Sequence, residues 1–252
     1  MSEKLAIITG VGRKKGIGFA IAQELMSAGY DLVISYWSAY DERLGLDRSP
    51  TDFDVLKAIG EQLGRSIHCV EVDLAEPHSA TELVDRAFSD GDVRAMVMSH
   101  CESVDSDVLT TSLEAWDQHF AVNARAPWLM IKRYAELSNP DPECIKSVIA
   151  LTSDHTAHNL PYGASKGALD RLVIASGVEL GSRGFRCNVL NPGPVNTGWM
   201  TGELEQQLTA MTPAGRLGTT EDVAHLVGFL CSEKGSWVNG QLLQTNGGFN
   251  AG

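Results

Sequence analysis

Short apolar runs alternate with longer amphipathic stretches along the chain. The runs rich in Val, Ile and Leu predict strands at residues 5–9, 31–35, 67–72, 94–98, 147–151, 186–190 and 241–245. Helical spacing of apolar positions predicts helices at about 17–28, 53–63, 78–89, 112–136, 161–181 and 220–232. Strands that alternate with helices of this length are typical of a parallel sheet covered on both faces. The pattern predicts a single-domain, doubly wound α/β fold over residues 1–252, with irregular stretches at 37–52 and 198–218.

The net charge of the chain argues against some classes of partner. The chain has 20 Lys and Arg against 32 Asp and Glu, a formal net charge of -12. A surface this acidic repels polyanions, so we expect no nucleic acid and no anionic membrane as partner. No apolar run has the length of a membrane span, and the first residues lead into a strand without a signal-peptide pattern. We therefore expect a cytoplasmic location.

The number and spacing of the cysteines and histidines do not predict a metal site. The five cysteines are an odd number without CxxC spacing, which is typical of reduced packing residues. His155 and His158 have no third ligand near them in the sequence, so zinc is not expected.

The first strand runs directly into the glycine-rich stretch TGVGRKKGIG (9–18), and a helical pattern follows. Glycines at a strand-to-helix turn let a diphosphate approach the backbone, and the helix N-terminus stabilises its charge. This context predicts a nucleotide-binding turn.

Seven motifs in order make the chain resemble a short-chain dehydrogenase/reductase over nearly its whole length. They are TGVGRKKGIG (9–18), VDL (72–74), VNARAP (122–127), LTSD (151–154), YGASK (162–166), NPGPVNTGWM (191–200) and GQLLQTNGGF (240–249). The resemblance implies a Rossmann fold with a seven-stranded parallel sheet that binds NAD or NADP. It also implies hydride transfer between nicotinamide and a carbonyl or alcohol carbon.

The resemblance implies a catalytic tetrad at Asn123, Ser153, Tyr162 and Lys166. Tyr162 would donate a proton to the carbonyl oxygen, Ser153 would hydrogen-bond that oxygen, and Asn123 would anchor a water that relays protons to Lys166. Because Tyr162 and Lys166 are four apart on one helix face, we expect the ammonium near the phenol, where it would lower the pKa of Tyr162 toward neutrality. Lys166 would also hold the nicotinamide ribose.

The resemblance further implies cofactor contacts from several segments of the chain. These residues are Gly10, Arg13, Lys14, Gly16, Ile17, Gly18, Trp37, Asp73, Tyr162, Lys166, Pro192, Gly193 and Thr197. Two alternatives stay open from the residues themselves: Asp73 as an ordinary cap for the next helix, and Pro192-Gly193 as a plain turn.

NADP is expected in preference to NAD. The second strand ends in Ser35-Tyr36-Trp37-Ser38 without an acid, and Asp41 and Glu42 are expected in the loop beyond it. Arg13, Lys14 and Lys15 crowd the glycine turn, where a cation can bind a 2'-phosphate by charge-assisted hydrogen bonds.

Three positions depart from the family pattern. Five residues separate Gly10 from Gly16 where three are usual, and Ser153 precedes Tyr162 by nine residues where about thirteen are common. Met98-Ser99-His100-Cys101 stands where the family has Asn-Asn-Ala-Gly.

The leading functional hypothesis is an NADP-dependent reductase of a small-molecule carbonyl substrate, similar in layout to the 3-oxoacyl-[acyl-carrier-protein] reductases. An enoyl-thioester reductase is an alternative that the longer glycine loop favours and the three residues between Tyr162 and Lys166 disfavour. A non-catalytic dinucleotide-binding sensor is the other alternative. Substrate choice is expected to depend on residues 154–160 and on a substrate loop at about 198–213. Family resemblance also implies a homotetramer that packs through the helices at 112–136 and 161–181.

Overall fold

The computed structural model describes residues 4–46, 49 and 52–250. Its seven strands form one parallel sheet in the order β3-β2-β1-β4-β5-β6-β7. The strands are β1 (Lys4–Thr9), β2 (Tyr30–Tyr36), β3 (Ile67–Glu71), β4 (Asp92–Met98), β5 (Lys146–Leu151), β6 (Phe185–Asn191) and β7 (Leu242–Gln244). The sequence prediction of a seven-stranded parallel sheet is confirmed.

Helices cover both faces of the sheet. They are α1 (Ile17–Ser27), α2 (Ser38–Arg43), α3 (Asp52–Leu63), α4 (Pro77–Asp90), α5 (Leu113–Phe120), α6 (Ala126–Leu137), α7 (Leu160–Leu180), α8 (Gly202–Met211) and α9 (Thr220–Leu230). The predicted helix at 112–136 is divided, because a π-helical turn at Ala121–Arg125 joins α5 to α6. Among the described residues, no helix has the length and apolar character needed to cross a membrane.

Both stretches predicted to be irregular contain helices, so that prediction was wrong in part. α2 lies within 37–52, and α8 lies within 198–218, where the Thr201 side chain accepts from Leu204 N and caps the helix. Residues 47, 48, 50 and 51 of the first stretch, and the ends of the predicted domain at 1–3 and 251–252, lie outside the described residues.

Adjacent residues of the central strands pack on opposite faces of the sheet. Ile7 belongs to one buried cluster and Ile8 to the other. The same alternation continues through β2, β4 and β5, with Val33, Met96 and Val148 on the side of Ile7 and Ile34, Val97 and Ile149 on the side of Ile8. Burial of each such side chain stabilises the fold by about 1.5–3 kcal/mol. This two-sided burial explains why the strands appear in the sequence as continuous apolar runs.

The strand order reverses at β1, which pairs with β2 on one side and β4 on the other. In an open parallel sheet, this switch point leaves a crevice at the carboxyl ends of the strands, where ligands bind. The topology therefore places the glycine turn after β1 and the residues after β4 around the same crevice.

Close packing explains some of the small residues of α7. A Cβ on Gly163 would lie 2.2 Å from the His155 carbonyl oxygen, and one on Gly177 would lie 2.6 Å from Asn239 Oδ1. Gly167 differs, because an added Cβ would meet nothing within 4 Å. Close approach of neighbouring segments therefore accounts for Gly163 and Gly177, whereas no neighbouring atom of the described chain requires a glycine at 167.

Candidate active site

A cavity opens at the carboxyl edge of the sheet, between the glycine turn, α2, the segment after β4 and the first turns of α7. Most of the predicted cofactor-binding residues line it, namely Gly10, Arg13, Gly16, Ile17, Trp37, Asp73, Tyr162, Lys166, Pro192 and Thr197. Lys14, Gly18, Gly193, Asn123 and Ser153 are not among its lining residues.

The glycine turn brings backbone close to backbone. Gly10 has φ +74°, and a Cβ there would lie 2.7 Å from His100 N, while a Cβ on Gly18 would lie 2.6 Å from the Gly10 carbonyl oxygen. Gly16 precedes α1 and supplies no side-chain cap to the first N–H groups of that helix. Uncapped N–H groups that face a cavity fit a diphosphate group, so the residues present suit a dinucleotide.

The cations of the turn point in different directions. Arg13 Nη1 donates to the Thr197 carbonyl oxygen at 3.1 Å, and Arg13 Nε lies 3.5 Å from Asp41 Oδ1. Lys14 is exposed, and its backbone N–H donates to Asp52 Oδ2. The expectation that Asp41 lies in a loop beyond the strand was wrong, because α2 holds this carboxylate, buried, in the cavity wall. The charge of Arg13 is therefore shared with Asp41.

Asp73 and the turn at Pro192 combine a structural role with a position beside the cavity. Asp73 Oδ1 accepts from Ala75 N at 2.8 Å, so it caps the turn before α4 while it lines the cavity. Gly193 has φ +62°, and a Cβ there would lie 2.4 Å from Asn246 Cβ. Gly193 is thus explained by its own turn, whereas Pro192 lies on the cavity wall.

The structure brings Tyr162, Lys166 and Ser153 together. Lys166 Nζ is buried, donates to the Leu151 carbonyl oxygen at 2.8 Å and lies 5.8 Å from the centroid of the Tyr162 ring. Ser153 hydrogen-bonds the Tyr162 phenol and accepts from His155 N at 3.2 Å. The shorter spacing between Ser153 and Tyr162 therefore keeps the hydroxyl within reach of the phenol.

Burial controls the acidity of this pair. It raises the pKa of Tyr162 well above its ordinary value near 10, and the nearby Cys101 thiol acts in the same direction. The Ser153 hydrogen bond lowers the pKa of Tyr162 and opposes this effect. Burial also lowers the pKa of Lys166. The prediction that the pKa of Tyr162 is lowered toward neutrality is wrong for this structure, because the loss of solvation on burial is the largest influence on the phenol and raises its pKa.

Asn123 is buried in the π-helical turn, and its side chain forms hydrogen bonds to the segment after β4 and to α7. Its Nδ2 donates to the Glu102 carbonyl oxygen and to Ser165 Oγ, both at 2.9 Å, and its Oδ1 accepts from Glu102 N at 2.8 Å. Ser165 Oγ in turn donates to the Tyr162 carbonyl oxygen at 2.9 Å. Asn123 therefore connects the segment after β4 with the turn of α7 that carries Tyr162.

Several cavity residues were not predicted as site residues. Tyr40 Oη lies 3.8 Å from Cys101 Sγ, and burial raises the pKa of Tyr40 far above its ordinary value. Cys101 and Glu102 line the cavity beside His100. The position of these three residues directly after a buried strand was the available signal, since the carboxyl end of β4 lies at the switch point. No sequence signal of this kind identified Tyr40, because its contact with Cys101 depends on the tertiary structure.

Known proteins share both the fold and the sequence pattern. A family model described as Enoyl-(Acyl carrier protein) reductase matches residues 10–250. The chain is 28% identical over 256 residues to the uncharacterized oxidoreductase YjdA of Bacillus subtilis, covering 99% of this chain and 98% of the relative. It is 32% identical over 261 residues to an NADPH-dependent aldehyde reductase-like protein, chloroplastic, of Arabidopsis thaliana, covering 99% and 95%.

Two solved structures extend the comparison. The blue fluorescent protein from a metagenomic library, in complex with NADPH, has a TM-score of 0.83 at 28% identity, with 98% of each chain covered. The angucycline C-6 ketoreductase LanV with bound NADP has a TM-score of 0.85 at 25% identity, covering 99% of this chain and 96% of that one. The doubly wound sheet and its glycine turn define an α/β protein of the Rossmann class. The chain belongs to the short-chain dehydrogenase/reductase family and is an oxidoreductase of that type.

Proposed function

We propose that this enzyme reduces the carbonyl group of a small molecule with NADPH. The observation that carries the proposal is the position of Tyr162 and Lys166 at the cavity onto which the glycine turn opens, with Ser153 beside the phenol. A protonated phenol at neutral pH, which burial of Tyr162 favours, suits a proton donor. When bound, NADPH supplies the hydride for the carbonyl carbon.

The proposed role of each tetrad residue rests on the contacts that the residue makes. Tyr162 donates its phenolic proton to the developing alkoxide, and Ser153 holds the same oxygen from the side on which it already bonds the phenol. Lys166 lies beside the phenol and would hold the nicotinamide ribose. Asn123 acts from behind the cavity wall, where its amide fixes Glu102 and Ser165. The water relay through Asn123 stays part of the proposal.

The preference for NADP(H) is supported by similar proteins and by the distribution of charged side chains around the cavity. One relative is named as NADPH-dependent, and two structural neighbours hold NADPH or NADP. In this chain, β2 ends without an acid, and Arg13 reaches the cavity. Asp41 shares the charge of Arg13, so the cation is a weaker source of preference than the sequence suggested.

An enoyl-thioester reductase is the second candidate. The description of the matching family model and the long glycine loop favour it. The three residues between Tyr162 and Lys166 favour carbonyl reduction, as does the ketoreductase LanV among the structural neighbours. The two reactions differ in the bond reduced, which is C=O in one and C=C in the other.

A substrate panel with both cofactors tests the proposal. The purified protein is mixed with NADPH or NADH and with aldehydes, ketones, quinones, 3-oxoacyl thioesters or enoyl thioesters, and cofactor oxidation is followed by absorbance. We expect turnover with at least one carbonyl compound and a higher kcat/KM for NADPH than for NADH. Turnover restricted to enoyl thioesters would favour the second candidate, and cofactor binding without turnover would favour a sensor. A kcat/KM that favours NADH would contradict the cofactor assignment.

Assembly and location complete the proposal. We propose a homotetramer, supported by exposed apolar side chains on α5 and α6, where Leu113 is 71% and Trp128 is 48% exposed. Light scattering at micromolar concentration tests it, and a monomer would contradict it. The acidic composition and the unpaired cysteine pattern support a cytoplasmic location.

A further inference from the structure

The π-helical turn leaves one carbonyl without a donor from its own helix. Ala126 N–H donates to the Ala121 carbonyl oxygen, five residues back. The next donor in this pattern would be residue 127, which would serve Val122, but it is Pro127 and has no N–H. The Val122 carbonyl oxygen, directly before Asn123, therefore needs a donor from elsewhere, since an unsatisfied buried carbonyl is costly.

His100 supplies that donor. Its Nε2 lies 3.0 Å from the Val122 carbonyl oxygen, which carries no hydrogen, so the hydrogen of this bond resides on Nε2. Its Nδ1 lies 2.5 Å from Thr9 Oγ1, which accepts from Ser99 N at 3.2 Å. With Nε2 protonated and Nδ1 free, the Thr9 hydroxyl donates to Nδ1. The bonds thus run in one direction from Ser99 through Thr9 and His100 to Val122.

The surroundings of His100 keep its ring neutral. Burial lowers the pKa of His100 to about 3, and the charge of Lys166 acts in the same direction, while the bond to Val122 opposes them. His100 therefore stays uncharged at physiological pH and does not relay protons by ionising. A fixed tautomer is what a positioning role requires.

We propose that His100 is a positioning residue, which bridges the end of β1 to the π-helical turn through Thr9 and Val122 and thereby fixes Asn123 against Glu102 and Ser165. His100 lies in the stretch Met98–Cys101, which departs from the family pattern, and the positioning role gives that departure a function. The positioning role rests on the proposed function where it concerns activity, whereas the tautomer of His100 does not depend on any activity.

The tautomer is tested by nitrogen NMR on the whole protein labelled with 15N-histidine. We expect one histidine with a protonated Nε2 and an unprotonated Nδ1 whose shifts do not change between pH 5 and 8, and its signals should disappear in His100→Gln. A ring protonated at Nδ1, or one that titrates near its ordinary pKa of about 6.5, would overturn the assignment. This result stands whether or not the substrate panel finds turnover.

Two variants of similar size test positioning. His100→Gln keeps an amide N–H that can donate to Val122, whereas His100→Met fills the space without a donor. With the accepted carbonyl substrate, we expect kcat of His100→Met to fall about tenfold or more per bound NADPH, which is part of the roughly hundredfold or greater contribution of a well-placed general acid. Cofactor Kd should change little, and His100→Gln should regain most of the kcat.

A merely structural histidine would give a different result. Both variants would then lower Tm and the bound fraction, while kcat per bound cofactor stayed at the wild-type value. Equal kcat in wild type and His100→Met, or no recovery in His100→Gln despite a folded protein, would overturn the positioning role. Absence of turnover in the wild type would contradict the proposed function instead, and would leave the NMR result to decide the tautomer.

Discussion

Arg43 donates from Nη2 to both carboxylate oxygens of Glu102, at 2.5 and 2.6 Å. Glu102 is buried beside Asn123, whereas the Arg43 side chain is 49% exposed. The pair joins α2 to the segment after β4, and the Arg13 to Asp41 contact joins α2 to the glycine turn. These two ion pairs hold the short helix α2 in the cavity wall.

Loss of the first ion pair should weaken cofactor binding. Arg43→Ala leaves the Glu102 carboxylate buried without its cation, which we expect to cost about 1–2 kcal/mol of unfolding free energy after allowance for the exposure of Arg43. We also expect the Kd for NADPH to rise about threefold to tenfold, about 1 kcal/mol, because one cavity wall is loosened. Fluorescence titration and thermal unfolding measure these effects.

Arg86→Ala is the matched control. Arg86 is 58% exposed and lies 3.4 Å from Asp90 on the surface of α4, so its loss should change little. Unchanged NADPH affinity in Arg43→Ala would show that α2 needs no anchor at Glu102.

Two glycines of α7 should respond in opposite ways to alanine. Gly163→Ala places a Cβ against the His155 carbonyl oxygen, so the loop before α7 must move, and both stability and activity should fall. Gly167→Ala meets open space in the middle of the helix and should stabilise by about 0.5–1 kcal/mol. Urea unfolding and carbonyl-dependent NADPH oxidation report on the two effects. A tolerated Gly163→Ala would mean that the loop at His155 is not held against the helix.

The Arg216 to Asp222 pair should give a pH-dependent contribution to stability. The Arg216 hydrogen bonds hold the pKa of Asp222 well below its usual range, and the backbone bond from Thr219 at the start of α9 adds to this. A lowered carboxyl pKa stabilises the folded state above the ordinary value of about 3.9 and loses that effect as pH falls below it. Asp222→Asn should therefore lower stability at pH 7 by about 1 kcal/mol, because the pair is exposed.

The difference between wild type and Asp222→Asn should shrink as the pH is lowered through about 4. Urea titrations at a series of pH values measure it. A difference that stays constant from pH 7 to pH 3 would contradict the assignment of the lowered pKa to this residue.

Asp41 should limit the preference for NADPH. Asp41→Asn removes a buried negative charge from the cavity wall and frees Arg13, which favours the cofactor with the additional phosphate. We expect the ratio of kcat/KM for NADPH over NADH to rise about tenfold, which corresponds to about 1.4 kcal/mol. Arg13→Ala should move the ratio in the opposite direction. A ratio that neither substitution changes would place the 2'-phosphate away from both residues.

The sequence predicted the sheet well because its central strands are buried on both faces, so that Ile7 and Ile8 both had to be apolar. It failed at α2, whose residues SAYDER show no apolar stripe and whose position depends on Glu102 and Arg13 far along the chain. The π-helical turn was missed for a similar reason, since Pro127 is its one local sign and the hydrogen bond from His100 comes from the segment after β4.

The candidate site was predicted by the resemblance at Tyr162, Lys166 and the glycine turn, which the structure gathers at one cavity. The electrostatics could not be predicted in this way. The helical spacing of Tyr162 and Lys166 gave their proximity, but burial decides the direction of the phenol pKa. Burial depends on the packed structure rather than on spacing.

Tyr162→Phe tests the central claim most directly. The substitution removes only the phenolic oxygen, so kcat for carbonyl-dependent NADPH oxidation should fall at least about a hundredfold, the lower end of what a general acid contributes. The Kd for NADPH, measured by fluorescence on the same preparations, should stay within about twofold of wild type, a change of less than 0.5 kcal/mol. Loss of kcat with intact cofactor binding is the predicted result. Retention of most of the wild-type kcat by Tyr162→Phe would contradict the assignment of Tyr162 as the proton donor.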